Sequence, residues 1–258
     1  MIEWVYHLPV VWMTVVVTAM MAFATAAIHL AVRAVVTEER LRVFKAMSPV
    51  MLTPLAVVFG LLNGFLASQV WTEADRAAAA VSREAGALRS IFLLSDAFPV
   101  ESREALHRLL RRHAKEEAEG EWPAMAKREA ALATVSATDS EMLRFILALT
   151  PEGNAQTLAQ REMVTYLQRA LDARLERIII SRSTINWVKW SVVLVLAGLI
   201  LVTIGFVHAD NGATAALAMA VFSLGVAACI VLIASHNRPF TGEISIGPDL
   251  LLQVLSER

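Results

Sequence analysis

The sequence predicts an all-α integral membrane protein: four transmembrane helices, with a helical extramembrane domain, placed in the cytoplasm, between spans two and three. Three observations lead there. Hydrophobic residues make up 57% of the 258 and charged residues 18%, where soluble domains hold roughly 45–50% and about 25%. Charge is absent from four long stretches. The charge-rich remainder repeats apolar residues at three- and four-residue steps and nowhere alternates as a strand would.

The first stretch, 8–32, carries no Asp, Glu, Lys or Arg, and neither does the second, 46–72. The third, 188–207, is uncharged from Trp190 onward, and the fourth covers 213–235. A bilayer core about 30 Å thick takes about 20 residues of helix. The first stretch lacks a preceding basic segment and is too long for the apolar core of a signal peptide, so it reads as a retained span. The division that follows is a transmembrane hairpin over 1–72, a helical domain over 73–187, and a second hairpin over 188–235. A tail over 236–258 docks on the bundle through Leu250, Leu251, Leu252, Val254 and Leu255.

The domain at 73–187 is built differently, with 16 Lys and Arg and 17 Asp and Glu. Leu106, Leu109, Leu110 and His113 share one face of a helix beginning near Pro99, a favoured first-turn residue. Thr138 and Glu141 have the spacing of a capping box, and Thr150-Pro151-Glu152-Gly153 ends the helix that follows. Val164, Leu167, Leu171, Leu175 and Ile178 form the stripe of a long amphipathic helix. No Gly or Pro separates Trp71 from the alanines at 77–80, so span two continues as one helix to about Leu94. Nor does either interrupt Arg182–Trp190, which predicts a continuous entry into span three.

Charge and motifs remove several functions. The net charge of −1 argues against a nucleic-acid partner. The single Cys229 rules out an internal disulfide and a cysteine-based zinc site. There is no phosphate loop and no nucleophile elbow, so the chain reads as neither an enzyme nor a cofactor binder. Glu104 and His107 have the spacing of a carboxylate-bridged metal bundle, but that needs a second such pair, which is missing. His113 and Glu117 share a face at i, i+4, read here as a solvated surface rather than a metal site. Lys115 with Glu119 and Arg112 with Glu116 pair locally on it.

Orientation follows from flanking charge. Arg33, Arg40, Arg42 and Lys45 lie in the first hairpin loop. Arg76, Arg83, Arg174, Arg177, Arg182 and Arg238 lie on the other side, which the positive-inside rule assigns to the cytoplasm. The expectation is a multi-pass protein of the cell (inner) membrane, its large domain and both termini cytoplasmic.

Span two holds the most chemistry. Gly60, Gly64 and Ser68 make a small-residue stripe along which helix backbones approach. Asn63, Ser68 and Gln69 are polar groups that need a partner or water at that depth. Plain helix packing accounts for the glycines. A helix lining a partly wet passage accounts for the polar groups as well.

Pro54-Leu55, Val58, Gly60 and Trp71 resemble the second transmembrane helix of bestrophin anion channels. Asn237-Arg238-Pro239-Phe240-Thr241-Gly242-Glu243 is similar to their Asn-Pro-Phe-Gly-Glu segment, with one residue inserted on each side of Pro-Phe. Together with Gly120-Glu121-Trp122-Pro123, these residues resemble the bacterial bestrophin-like family more closely. The resemblance implies a homo-oligomer, a pentamer in the channels, embedded in the lipid bilayer and passing small inorganic ions. Its apolar neck falls on Thr53, Val57 and Leu61, none aromatic, and its calcium-binding acids reduce to Glu243 and Asp249, too few for the 6–8 oxygens Ca²⁺ takes. The pore-lining candidates are therefore Thr53, Val57, Leu61, Asn63, Gly64 and Ser68, with small anions as the ions passed. The tail motif is Asn237, Pro239, Phe240, Gly242 and Glu243. A membrane-anchored helical sensor or scaffold that binds another protein is the alternative.

Overall fold

The computed structural model describes Tyr6, residues 8–131 and residues 137–256, with the backbone alone at 38–49 and 254–256. Every regular element among these is helical. In order they are α1 (Val10–Val35), α2 (Glu38–Leu94), α3 (Val100–Glu116), α4 (Trp122–Ala126), α5 (Ala137–Ala148), α6 (Asn154–Arg182), α7 (Trp187–Val207), α8 (Gly212–His236) and α9 (Asp249–Ser256). Four helices, α1, α2, α7 and α8, are long and apolar enough to cross a bilayer. Two compact units result.

The first unit comprises residues 1–72, 184–237 and 242–244. Its core is Met13, Val17 and Met21 of α1, Phe59, Leu66 and Val70 of α2, and the buried faces of α7 and α8. Phe59 and Phe222 meet with ring centroids 5.9 Å apart. A Cβ on Gly205 would come within 3.2 Å of the Val32 side chain, so a glycine lets α7 and α1 approach closely. The turn between α7 and α8 ends on Asn211, whose Oδ1 accepts from the amides of Ala213 and Thr214. That side chain stops α8 from fraying, because the first amides of a helix have no partner within it.

The second unit comprises 73–183, 238–241 and 245–258. Ala77, Val81, Leu88 and Ile91 of α2 pack with Leu106 and Leu110 of α3, Met142 and Ile146 of α5, and Met163 and Leu167 of α6. Leu251 of α9 joins them fully buried. Between α3 and α4 the helix opens into a π turn, Glu117–Glu121. Pro123 gives the reason: it has no N–H to return to Glu119, and its ring crowds that carbonyl, so the hydrogen-bond ladder slips by one residue.

Three local expectations are corrected. The chain does not run helically from Arg182 into Trp187. Residues 183–186 are not helical, with Ser183 and Asn186 extended, and Asn186 caps α7 by accepting from Val188 N at 3.2 Å. Ser, Thr and Asn stop a helix as Gly and Pro do, by offering the backbone a side-chain partner. Thr138 caps nothing. It lies inside α5, buried, and its hydroxyl donates to Glu116 Oε2 at 2.5 Å. In the stripe on α6, Leu167 and Ile178 are buried but Leu175 is exposed, because the buried face passes instead through Ala170, Ala173 and Arg177.

Asn211→Ala should lower stability by about 1 kcal/mol, the usual worth of an N-cap. Thermal unfolding in detergent measures it. An unchanged midpoint would mean that tertiary contacts alone hold the start of α8.

Candidate functional site

Five of the six span-two candidates lie on one exposed face of α2. Thr53, Val57, Leu61, Gly64 and Ser68 follow each other at four-, four-, three- and four-residue steps, and all are exposed within the chain. Gly60 lies on this face too, and a Cβ added to it or to Gly64 would meet nothing within 4 Å. The glycines are therefore not accommodating a neighbour inside this chain. Asn63 departs from the expected set. It is buried beside Phe59, Leu66 and Val70, and its Nδ2 donates to Phe59 O at 2.8 Å. A side-chain amide in an apolar helix can return to the carbonyl four residues back, and this one does. Gln69 instead accepts from Lys189 Nζ at 2.6 Å.

The tail residues sit in two settings. Asn237 is buried in the first unit, where its Oδ1 accepts from Ile185 N at 2.9 Å and its Nδ2 donates to Tyr6 Oη at 3.2 Å. Gly242 has φ +91, and a Cβ there would approach Tyr6 O to 3.1 Å, so only glycine fits without strain. Glu243 Oε2 accepts from Val10 N at 3.0 Å, placing a carboxylate on the first amide of α1. In the second unit, Phe240 meets Trp122 edge to face at 6.2 Å, and Pro239 O accepts from Ile246 N at 2.8 Å.

The densest chemistry lies elsewhere, inside the second unit. Arg177 of α6 is wholly buried. Its Nε and Nη2 donate to Glu84 Oε2 and Oε1 at 2.8 and 2.9 Å, and Nη2 also reaches Glu117 Oε2 at 3.1 Å and Glu121 Oε1 at 2.9 Å. The guanidinium carbon stands 4.1 Å from the centre of the Trp122 ring. Arg174 pairs with Glu117 at 3.1 Å and with Glu121. His113 Nδ1 faces Asp139 Oδ1 at 2.9 Å and its Nε2 faces Glu117 Oε1 at 3.4 Å. His113 and Glu117 therefore do not form the solvated face expected of them. Their partners come from α2, α5 and α6, which cover them.

This cluster sets four carboxylates against two arginines and one imidazole. Burial, and then the neighbouring Glu117, push the Glu84 carboxyl up to about 8, against the opposing pull of Arg177. Burial raises Glu117 as well. For Arg177 burial works toward the neutral form, but the facing carboxylates of Glu84 and Glu117 outweigh it and hold the guanidinium charged. Glu84, His113 and Glu117 are close enough together to hold a metal ion. Arg177 already bonds both carboxylates, so the cation they surround is a guanidinium. His107 is engaged apart from them, stacked on Phe92 at 3.6 Å and bonded to Ser95 Oγ at 2.8 Å.

Sequence reading missed Glu84, Glu121, Asp139, Arg174 and Arg177 as members of one group. The available signal was phase. Glu84 stands between Val81 and Leu88 on a helix face that is otherwise apolar, and Arg177 stands between Ala173 and Ser181. A charge in the phase of a core is a buried charge, and a buried charge needs partners.

Four apolar helices joined to a helical unit with a closed ionic core define an all-helical, multi-span membrane protein. The bestrophin-like domain model matches residues 19–251, so the chain belongs to the bestrophin-like family. Among solved structures it is similar to a bacterial bestrophin homologue from Klebsiella pneumoniae. One single-substitution variant of that protein matches with TM-score 0.72 and 11% identity, over 94% of this chain and 97% of the other. A second matches at 0.71 and 10%, over 92% and 95%, and the structure phased with zinc at 0.70 and 10%, over 93% and 95%. At such identities the likeness is one of fold. Among curated proteins there is no match.

Two outcomes test the ionic core. Arg177→Met leaves buried carboxylates without their cation and should cost about 3–5 kcal/mol of stability. Thermal unfolding measures it, and a loss below ~1 kcal/mol would mean the cluster is not closed to water. The second outcome concerns Glu84, whose ordinary value is 4.5 and whose folded value is about 8. Between these the folded chain keeps a proton that the unfolded chain has released. Its contribution is therefore greatest below 4.5 and declines as pH rises through 8. Glu84→Gln, which mimics the protonated acid, should flatten that decline in a plot of unfolding temperature against pH. Parallel profiles for wild type and variant would exclude Glu84 as the group responsible.

Proposed function

We propose that this chain assembles with copies of itself into an ion channel whose passage is lined by the exposed face of α2. The observation that carries the reading is that face: Thr53, Val57, Gly60, Leu61, Gly64 and Ser68, continuous, uncharged, and open at both glycines. A helix packed only by its own chain would turn such a stripe inward. The family and the fold of its relatives support the same reading. Val57 and Leu61 form an apolar collar with no aromatic ring, which ions cross only while it is wet. No carboxylate stands on the face between Thr53 and Ser68, so a cation filter made of acids is not offered, and small anions are the ions proposed. In this reading the subunits form a closed ring, the large domain and both termini are cytoplasmic, and Asn63 packs within its own subunit rather than lining the passage.

Cysteines introduced as Val57→Cys, Leu61→Cys and Ser68→Cys in a Cys229→Ala background should react with a membrane-impermeant thiol reagent in the assembled oligomer. Asn63→Cys should stay unreactive. Leu61→Ala should raise anion flux into liposomes by widening the collar. A monomeric mass in mild detergent, or no flux from wild type and Leu61→Ala alike, would replace the channel with the membrane-anchored scaffold. An alkaline-phosphatase fusion active after Gly120 would reverse the orientation.

A further inference from the structure

The side of α1 that faces the groove beside α8 carries a second ladder. Thr18, Ala22, Thr25, His29 and Arg33 succeed one another at four-, three-, four- and four-residue steps, along one face of the helix. Opposite the first four, Ala220 and Leu224 of α8 complete a groove of about 420 Å³. His29 also borders a second, smaller hollow of about 220 Å³, lined with Arg33, Gly212 and Ala215. The two run end to end, one mainly apolar and the other bearing the cation. From Thr18 to His29 the groove is about 16 Å long at 1.5 Å per residue. One leaflet of hydrocarbon, half of about 30 Å, has the same depth.

Thr25 adds an unmet polar group to the wall of the groove. Within long helices of this chain a threonine hydroxyl ordinarily donates to the carbonyl four residues back, as Thr14, Thr72 and Thr203 do at 2.8 Å. Thr25 is 93% buried by its 7% exposure, lines the groove, and its Oγ1 has no hydrogen-bond partner among the described residues. An unmet hydroxyl at bilayer depth is costly. Arg33, two turns above, is exposed and forms no salt bridge among the described residues. Its guanidinium lies against Gly212, the carbon 3.6 Å from where a Cβ on that residue would be, which places the charge at the hairpin end of the groove.

The geometry points to an anionic phospholipid as the occupant, with its phosphate on Arg33, its ester oxygens near His29, and an acyl chain laid past Thr25 and Ala22 to Thr18. The spacing matches the order of groups in such a lipid: charge first, a polar side chain about one helical turn deeper, then hydrocarbon. A transmembrane helix from a second copy fits less well. None of the stretches 8–32, 46–72, 190–207 and 213–235 carries a carboxylate to set against Arg33, which leaves only the hairpin acids Glu38, Glu39 and Asp210 of such a copy to meet it. The site is independent of the passage proposed on α2 and stands whether or not the protein conducts.

The test uses the delipidated full chain in mild detergent. Phosphatidylglycerol and phosphatidylcholine of identical acyl chains are added, and retained lipid is counted by native mass spectrometry. Wild type should retain phosphatidylglycerol about fivefold better, the factor that one basic residue contributes at a membrane surface. Arg33→Gln should bring the two lipids level while keeping both bound. Ala220→Phe, and Ala26→Phe on the facing wall, should lose both, since a ring then fills the groove. Both alanines are exposed, so either variant serves if the other fails to fold. Equal retention by wild type, or a preference unchanged in Arg33→Gln, overturns the proposal. So does a phenylalanine variant that changes the oligomer's mass while lipid retention stays the same, which would assign the groove to a second copy.

Discussion

A guanidinium without access to water dictates much of the second unit's construction. Taking an ion out of water costs several kcal/mol even after the protein relaxes around it, so Arg177 is tolerable only where carboxylates close on it. Glu84 comes from α2, Glu117 and Glu121 from the π turn, and Arg174 from the preceding turn of α6. His113 and Asp139 extend the network to α3 and α5. Each element is therefore held in rotation as well as in position, because turning any of them would strand a charge. The indole of Trp122 closes one face of the guanidinium, and Met125 Sδ lies 3.5 Å from its Nη1.

The π turn belongs to the same constraint. In a regular helix Glu117 and Glu121 would sit one turn apart on a single line, and Trp122 would point away from that line by about 100°. Opening the ladder at Pro123 changes that phase, and both carboxylates and the indole reach Arg177. Insertions of this kind are frequent at functional sites, and here the insertion serves a charge rather than a ligand.

The first unit obeys a different rule. Its helices have few charges to satisfy, so small residues and returned hydrogen bonds govern them. Gly205 admits Val32, and Asn63 returns its Nδ2 to Phe59 O. What is left outward is informative by contrast: a smooth face on α2 and a polar-to-apolar ladder on α1. Neither is explained by packing within the chain, and each is read through what would lie against it.

The all-helical class and the four apolar spans were legible from sequence because they depend on local quantities: uncharged length against bilayer thickness, and the absence of Gly or Pro between Trp71 and the alanines at 77–80. The membership of the family was legible in short motifs around Trp122 and Phe240. The interruption at 183–186 was not, since Ser, Thr and Asn end a helix only when their side chains find the backbone. The burial of Asn63 was not legible either, because a polar residue in a span looks the same whether it bonds to its own helix or faces water. The ionic core was beyond reach for a further reason. Glu84 and Arg177 stand 93 residues apart, and a charge at a core phase announces that a partner is needed without saying which. The sequence by itself determined the helical class, the four stretches long and apolar enough to cross a bilayer, and what solvent each prefers. Only the tertiary structure decided which charges meet, because pairing depends on distances that chain separation does not encode.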